Sequence, residues 1–321
     1  MSNNGRIDIL LATYNGERFL TDQINSIISQ TYDNWNLIIR DDGSTDDTVE
    51  LIKEFRDKYP SKIIYVEDAD KNLGPSGNFS VLLSHSKADY IMFCDQDDVW
   101  EPEKVELVYN RIMAVEKESE ERTPVLVHTD LMVVGRDLEI ISPSMFRFQK
   151  LNPTSVDLPE LLVQNNVTGC TVLINKALKE IASPIPKNII MHDWWLVLVA
   201  AAFGKIEFID KSTIKYRQHG NNDTGAFSYS SKYFLNRLKN YQKMKDIVRK
   251  NFKQAEVFFE RYKTRLKPAD YDQVESYISL QTESLPKKLE ILNKYNYKKQ
   301  GKIRDLGYKL IVLSSKKMKV D

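Results

Sequence analysis

Apolar and polar residues come in blocks along the first hundred positions, and these blocks predict alternating strands and helices. Residues 7–13, 35–40, 63–66 and 90–94 are short, nearly continuous apolar runs, as is typical of strands buried on both faces. Between the first two runs, apolar residues recur at helical spacing, for example at Leu20, Ile24 and Ile27. Because strands that alternate with helices form parallel sheets through crossover connections, the pattern predicts an α/β fold with a mostly parallel sheet flanked by helices.

The pattern changes along the rest of the chain. Further strand-like runs occur at residues 125–130, 131–134, 171–174, 206–209 and 213–216, whereas residues 142–157 look irregular and could form a mobile flap. The apolar run 194–203 is about half the length needed to cross a bilayer, so it predicts a buried helix. From Ser231 onward, Lys, Tyr and Leu recur at helical spacing without strand signals. We expect one domain over residues 1–225 and a helical C-terminal region with a basic tail over residues 226–321.

Composition narrows the class of protein. The chain has 321 residues, of which 42% are apolar and 28% charged, as in ordinary globular proteins, and a net charge of +1 gives no reason to expect nucleic acid as a partner. The basic charge is concentrated in residues 284–321, which hold 11 Lys and Arg against 3 Asp and Glu. Such a tail predicts either contact with an anionic membrane or a solvated end.

Two cysteines and the first residues bear on the compartment. Cys94 and Cys170 lie in apolar contexts without metal-ligand spacing, which indicates neither a disulfide framework nor a zinc site. No basic segment followed by an apolar one opens the sequence, so we expect no signal peptide. A cytoplasmic location fits both observations.

Polar side chains stand where the predicted strands end. Asp95, Asp97 and Asp98 follow the apolar run 90–94 directly. Because residues i and i+2 of an extended segment point the same way, Asp95 and Asp97 could hold one hard divalent cation, Mg²⁺ or Mn²⁺. Further polar strand ends occur at residues 13–15, 41–42 and 217–219. The ends of parallel strands converge on one edge of a sheet, so we expect a single pocket there.

A glycine-rich loop at residues 71–79 separates the third and fourth predicted strands. Its glycines permit a close backbone approach, and Gly77 and Asn78 can begin the following helix, whose N-terminus would favour an anion. The loop therefore reads either as a phosphate cradle or as an ordinary connection.

Several segments together resemble a known family. ATYNGERFL, IIRDDGSTDDT, KNLG, FCDQDDVW, TGC and HDWW, in this order, are similar to family 2 glycosyltransferases with the GT-A fold over residues 7–225. Together, the segments YNGERFL, RDDGSTD, DQDDVW and YRQH are most similar to bacterial rhamnosyltransferases that build cell-wall polysaccharides. Membrane-spanning processive synthases of this superfamily carry a Gln-x-x-Arg-Trp segment, which is missing here, so we expect addition of one sugar or a few.

The resemblance implies a role for each motif. Asp95 and Asp97 would hold the cation on the donor diphosphate, and His219 would serve as a metal ligand or a diphosphate contact, against the simpler reading of a loop histidine. Which two of the three carboxylates including Asp98 bind metal stays open, as does the choice of Mg²⁺ or Mn²⁺. The residues implied for donor binding are Thr13, Tyr14, Asn15, Glu17, Asp41, Asp42, Lys71, Gly74, Asp95, Gln96 and Arg217.

Asp193 in HDWW is the implied general base. Its neighbours Trp194 and Trp195 can exclude water from the reaction, which suits a base that accepts the proton of an acceptor hydroxyl. The alternative is that Asp193 only caps the apolar helix, where the helix dipole would weaken it as a base. His192 is interpreted as a structural residue or an acceptor contact.

The expected function follows from these roles. The chain would be an inverting, metal-dependent transferase that moves rhamnose from dTDP-rhamnose to a saccharide acceptor, which we expect to be lipid-linked and at the inner face of the cell membrane. The alternatives are a UDP-hexose donor with the same mechanism, or a non-catalytic protein that binds nucleotide sugars or glycans. The helical residues 231–297 fit a homo-oligomer contact equally well.

Overall fold

The computed structural model describes residues 5–219 and 241–315. Within them, nine strands form one sheet in the order β3-β2-β1-β4-β8-β6-β9-β5, and β7 pairs with β6. The strands are β1 Ile7–Thr13, β2 Trp35–Asp41, β3 Ile63–Tyr65, β4 Tyr90–Cys94, β5 Val99–Trp100, β6 Val125–Val134, β7 Ile140–Ser142, β8 Leu173–Asn175 and β9 Lys205–Arg217.

The sheet is mixed. Its N-terminal part is parallel, as predicted, with β1 between β2 and β4 and with β3 outside β2. Beyond β4 the directions alternate, because β8 runs antiparallel to both β4 and β6, while β6 and β9 are parallel. The apolar pattern marks a buried strand but carries no sign of its direction, which is why the second half could not be predicted as mixed.

Some elements differ from the sequence pattern. The two runs at 125–134 form one strand, and those at 206–216 form another, with register shifts between them at Thr129 and Asp130. Strands β5 and β7 and the helices at residues 145–149 and 176–182 were not predicted. They have two to seven residues each, too few to show a period.

Helices cover both faces of the sheet. They are α1 Glu17–Ile28, α2 Thr48–Lys58, α3 Gly74–His85, α4 Lys104–Lys117, α5 Met145–Gln149, α6 Leu158–Val163, α7 Lys176–Ala182, α8 His192–Phe203, α9 Tyr241–Tyr262, α10 Pro268–Ser279, α11 Leu285–Lys294 and α12 Lys302–Ser314. Among the described residues, none of these helices is long and apolar enough to cross a membrane.

Two hydrophobic clusters lie on opposite faces of the sheet. In β1, Ile9 and Leu11 belong to the cluster that includes α1 and α4, whereas Leu10 belongs to the cluster that includes α3, α6 and α8. This alternation explains why a strand buried on both faces reads as a continuous apolar run.

The C-terminal helices share the second cluster with α8. The ring of Trp195 packs 5.8 Å from Phe258 and 5.7 Å from Tyr262, both in α9. The domain boundary near residue 225 lies outside the described residues and stays a prediction. In the described part of the chain, α9 to α12 pack against the α/β portion through a common core.

Candidate active site

An open cleft of about 1300 Å³ lies beyond the C-terminal ends of β1, β2 and β4. The predicted site residues that line it are Thr13, Tyr14, Asn15, Asp42, Gly74, Asp95, Gln96, Asp97, Asp193 and His219. The predicted residues outside its lining are Glu17, Asp41, Lys71 and Arg217. The strand ends therefore meet at one pocket, as their pattern indicates.

Two carboxylates and an imidazole of the predicted metal site line the cleft. Asp95 and Asp97 follow β4, and His219 follows β9. The Nε2 of His219 lies 2.6 Å from Oδ2 of Asp97, and the side chains are about 15% exposed. Carboxylate oxygens with one imidazole nitrogen form a donor set that suits Mn²⁺ and is compatible with Mg²⁺. The chemistry of these side chains thus suits a divalent cation, and Asp97 and His219 are the two that lie in contact.

Asp98 has a different environment from its two neighbours. Its side chain is completely buried, and Oδ1 accepts a hydrogen bond of 3.1 Å from the backbone N–H of Arg217. Burial, with the adjacent charges of Asp97 and Asp95, raises the pKa of Asp98 well above its ordinary value. Ligand atoms of Asp95, Asp98 and Cys170 lie within 4.8 Å of one another. Burial also raises the pKa of the Cys170 thiol, and a protonated thiol is a poor ligand for a hard cation. The choice of Asp95 and Asp97 as the metal pair stays a prediction.

Arg217 holds the acidic loop, residues 95–98 between β4 and β5, in place. Its side chain is 4% exposed, and Nε donates to the carbonyl oxygen of Asp97 at 2.9 Å. The other guanidinium nitrogens donate to the carbonyl of Arg136 and to Asp22, while the guanidinium lies 4.5 Å from the ring centroid of Phe19. Binding of the sugar donor by Arg217 stays a prediction. Its contacts in the structure are those of a residue that positions Asp97.

Side chains at the ends of β1 and β2 mainly order the backbone. The hydroxyl of Thr13 donates to Asp41 at 2.9 Å, and Asp41 accepts N–H groups from Gly43 and Ser44. The backbone N–H and C=O of Tyr14 both bond to the Gln96 side chain, at 2.8 and 2.9 Å. Gln96 therefore fixes the half-exposed Tyr14 at the edge of the cleft.

A second set of contacts joins the turns before α1 and α2. The side-chain oxygen of Asn15 accepts from Thr45 N–H at 2.8 Å, and Glu17 accepts from Asp47 N–H at 2.9 Å. Asn15 lines the cleft, but Glu17 does not. Sequence reasoning could not separate these roles, because the partners lie about thirty residues away.

The glycine-rich loop is closed by Asp42. Helix α3 begins at Gly74 rather than Gly77, and Asp42 accepts the N–H groups of Leu73 at 3.0 Å and Gly74 at 2.8 Å. Gly74 has a φ of +71°, a conformation that favours glycine. Since a carboxylate already binds these amides, the contacts favour the interpretation of an ordinary connection over a phosphate cradle. Lys71 packs its side chain against Gly43.

Asp193 reaches the same cleft from another element, the first turn of α8. Its Oδ2 accepts a 3.0 Å hydrogen bond from Gly169 N–H, and Oδ1 accepts one of 2.5 Å from Trp194 N–H. Burial nevertheless raises the pKa of Asp193 from 3.8 to about 6, which outweighs both bonds. The carboxylate remains ionised near pH 7 and is a stronger base than an ordinary aspartate.

His192, interpreted from sequence as a structural residue or an acceptor contact, lines the cleft. Its ring lies 4.1 Å from that of Phe79, and burial lowers the pKa of His192 to about 3, so it is neutral.

The sequence analysis missed other cleft residues. They include the polar lining residues Thr129, Asp130, Gln149, Gln164, Asn165, Asn166 and Lys299. The adjacent asparagines at 165 and 166 were a sequence signal that could have predicted a polar site. Lys299 lies in a basic segment, where nothing in the sequence distinguishes it from the other lysines.

The α/β sheet with an acidic cleft at its strand ends matches the GT-A glycosyltransferase class that the motifs resemble, and comparisons support that class. Residues 8–119 match the family described as glycosyl transferase family 2. The dTDP-rhamnosyl transferase RfbG of Shigella flexneri is 32% identical over 235 residues, covering 70% of this chain and 76% of that protein. The chain therefore belongs to glycosyltransferase family 2, and the resemblance seen in the motifs is confirmed.

Solved structures agree with the fold. S. aureus TarS 1–349 in complex with UDP-GlcNAc has a TM-score of 0.54 at 18% identity, over 96% of this chain and 91% of that one. The mannosyltransferase PcManGT from Pyrobaculum calidifontis, in complex with GDP-Man and Mn²⁺, has a TM-score of 0.52 at 14% identity, over 97% and 86%. The predicted α/β GT-A fold with a helical C-terminal region is thereby confirmed.

Proposed function

We propose that the protein transfers rhamnose from dTDP-rhamnose to a saccharide acceptor in a single inverting displacement. The observation that carries the proposal is that one cleft is lined both by Asp95, Asp97 and His219 and by Asp193 of α8, whose pKa is about 6. The similarity to a dTDP-rhamnosyl transferase over most of both chains supports the choice of donor.

The chemistry gives a role to Asp193 and another to the metal-binding residues. As the acceptor oxygen bonds to the anomeric carbon, the bond from that carbon to the nucleoside diphosphate breaks, and Asp193 takes the hydroxyl proton. Asp95, Asp97 and His219 would hold the divalent cation, which balances charge on the leaving diphosphate. Attack from the face opposite the leaving group inverts the anomeric centre.

The proposal extends to the acceptor and its location. We place the acceptor as a lipid-linked saccharide of cell-wall polysaccharide synthesis, at the inner face of the cell membrane. A UDP-hexose donor is the second candidate, supported by the fold shared with TarS, which was solved with UDP-GlcNAc. Donor binding without transfer is the outcome that would favour a non-catalytic nucleotide-sugar-binding protein.

A donor panel tests the function. Purified protein is incubated with dTDP-, UDP- and GDP-sugars, with and without Mg²⁺ or Mn²⁺, and both nucleoside diphosphate release and thermal shift are measured. We expect metal-dependent dTDP release from dTDP-rhamnose. Release of UDP from UDP-hexoses would show that the donor is a UDP-hexose instead. No response to any nucleotide sugar would overturn the proposal.

The same panel tests the metal ligands. Asp97→Ala should weaken donor binding in Mn²⁺ by about tenfold or more, since it removes a ligand of the cation. Asp89→Ala is the matched control, because Asp89 is 65% exposed and pairs only loosely with Lys176, at 3.8 Å. Equal donor affinity in the two variants would exclude Asp97 as a ligand.

A further inference from the structure

Helix α12 presents apolar side chains on two sides. One side enters the core through Tyr308, Ile311 and Val312, all at most 1% exposed. The side chains of Ile303, Leu306 and Leu310 are 51%, 60% and 57% exposed. Their spacing of three and four residues places them on one stripe, away from the buried residues. Packing against the core does not explain this second stripe.

Helix α11 adds two more exposed leucines beside α12. Leu285 and Leu289 are 55% and 45% exposed, and they are one helical turn apart. Between them in sequence, Lys288 donates hydrogen bonds to the carbonyl oxygens of Val312 and Ser315, at 3.0 and 2.7 Å, which fixes α11 against the end of α12. We define the docking face as Leu285, Leu289, Ile303, Leu306 and Leu310.

The segment that carries the docking face has an excess of positive charge. Its described residues, 284–315, contain 8 Lys and Arg but only 2 Asp and Glu. Lys302 and Lys309, two turns apart on α12, border the apolar stripe on one side, and Lys309 pairs with Asp305 at 2.8 Å. Exposed apolar side chains bordered by lysines match an anionic bilayer surface. A second copy of the chain would bring two positive surfaces together, which is unfavourable.

The docking face adjoins the rim of the cleft. Helix α9 packs on α12, with Met244 beside Gly307 and the hydroxyls of Tyr241 and Ser314 3.1 Å apart. Ile247, three residues after Met244 on the same helix, lines the cleft. A bilayer bound to the docking face would therefore lie near the cleft wall formed by α9.

We propose that the docking face seats the protein on an anionic lipid bilayer, with the cleft rim close to the headgroups. The inference rests on the proposed function, because it supplies the geometry by which a lipid-linked saccharide reaches Asp193. The five apolar side chains enter the interface between headgroups and acyl chains, and the lysines contact the anionic headgroups. Docking is peripheral, through side chains of α11 and α12.

Vesicle co-sedimentation tests the docking face. The full chain is mixed with vesicles of phosphatidylcholine alone or with phosphatidylglycerol added, and bound protein is measured at low and high salt. We expect binding to the anionic vesicles that weakens with salt. The double variant Leu306→Asp and Leu310→Asp should bind about tenfold less, because it places charge in the apolar stripe.

A matched control separates this face from general hydrophobicity. Ile140 and Ile141 in β7 are 63% and 51% exposed, so Ile140→Asp with Ile141→Asp changes similar side chains elsewhere. This control should bind vesicles like the wild type. Equal binding by both double variants, or no binding by the wild type, would overturn the docking face. Loss of a concentration-dependent dimer in the Leu306/Leu310 variant would assign the face to a second copy instead.

Donor release in solution keeps the two proposals distinguishable. It needs no membrane, so both double variants should release nucleoside diphosphate from the donor like the wild type. Vesicle binding without donor release would contradict the proposed function alone, and donor release without vesicle binding would contradict the docking face alone.

Discussion

The carboxyl of Asp193 is subject to opposing influences. Its position in the first turn of α8 and two backbone N–H donors stabilise the ionised form, which lowers its pKa. Burial opposes them and prevails, since the pKa rises to about 6. The motif HDWW points to this residue, but the balance depends on Gly169, whose approach no local pattern reveals.

Asp193→Asn should lower the turnover number by about 10² to 10⁴, because the acceptor hydroxyl loses its base while donor contacts remain. In the wild type, kcat/KM should fall as the pH is lowered through about 6, where Asp193 takes up a proton. Initial rates between pH 5 and 8, with donor affinity measured in parallel, check both expectations. Full turnover by the Asn variant would exclude Asp193 as the base.

The same shift in pKa affects stability. Because the folded pKa of about 6 lies above the ordinary 3.8, protonated Asp193 is the form that folding favours. Its stabilising contribution is present below pH 4 and is lost as the pH rises through about 6. Relative to the wild type, Asp193→Asn should therefore gain up to about 3 kcal/mol of unfolding free energy between pH 4 and 7. Denaturant titrations at the two pH values measure this, and a constant difference would contradict it.

Other residue roles followed from sequence to different degrees. Asp95, Asp97 and His219 all line the cleft because they follow strands of the same sheet, which the apolar pattern locates, and Asp97 and His219 lie in contact. Asp41 and Arg217 end strands as well, yet they point into backbone contacts. Strand periodicity places a residue at an edge, but its hydrogen-bond partners are set by loops distant in sequence.

At the scale of elements, Arg217 connects the end of β9 to the acidic loop between β4 and β5. Its guanidinium donates to two backbone carbonyls and one carboxylate, and its backbone N–H binds Asp98. The two-residue strand β5 pairs with β9 in the same region. Such a short strand has no period of its own, so only the tertiary contacts show how this loop is held.

Arg217→Ala should lower the free energy of unfolding by about 2 to 4 kcal/mol, because it removes a nearly buried guanidinium that donates to two backbone carbonyls and to Asp22. It should also weaken donor binding in Mn²⁺, since Asp97 loses its support. The control is Arg111→Ala, whose ion pair with Glu207 is exposed and worth at most about 1 kcal/mol. Denaturant unfolding and donor titration distinguish them. Equal losses of stability and donor affinity in the two variants would show that Arg217 does not position Asp97.

At the scale of the molecule, the cleft depends on both ends of the chain. Its lining includes Tyr14 from the first βα turn, Ile247 from α9 and Lys299 from the connection between α11 and α12. Asn251 in α9 donates to the carbonyl of Val163 at 2.7 Å, and Gln254 accepts from Ile190 N–H at 2.9 Å. Composition located the helical region, but its packing on α6 and α8 involves residues some 60 to 90 positions apart.

This shared core leads to a prediction about cooperativity. Phe258 in α9 is fully buried against Trp195 of α8, so Phe258→Ala should lower the free energy of unfolding by about 3 to 5 kcal/mol. Because the α/β portion and the C-terminal helices bury the same cluster, we expect them to unfold in one transition, seen equally by tryptophan fluorescence and by far-ultraviolet circular dichroism. Leu285→Ala, at a side chain that is 55% exposed, is the control and should change stability by less than about 1 kcal/mol. Two separate transitions, with Phe258→Ala shifting only one of them, would show that the C-terminal helices fold as a unit of their own. The cleft wall that contains Ile247 would then be able to detach without unfolding the acidic site.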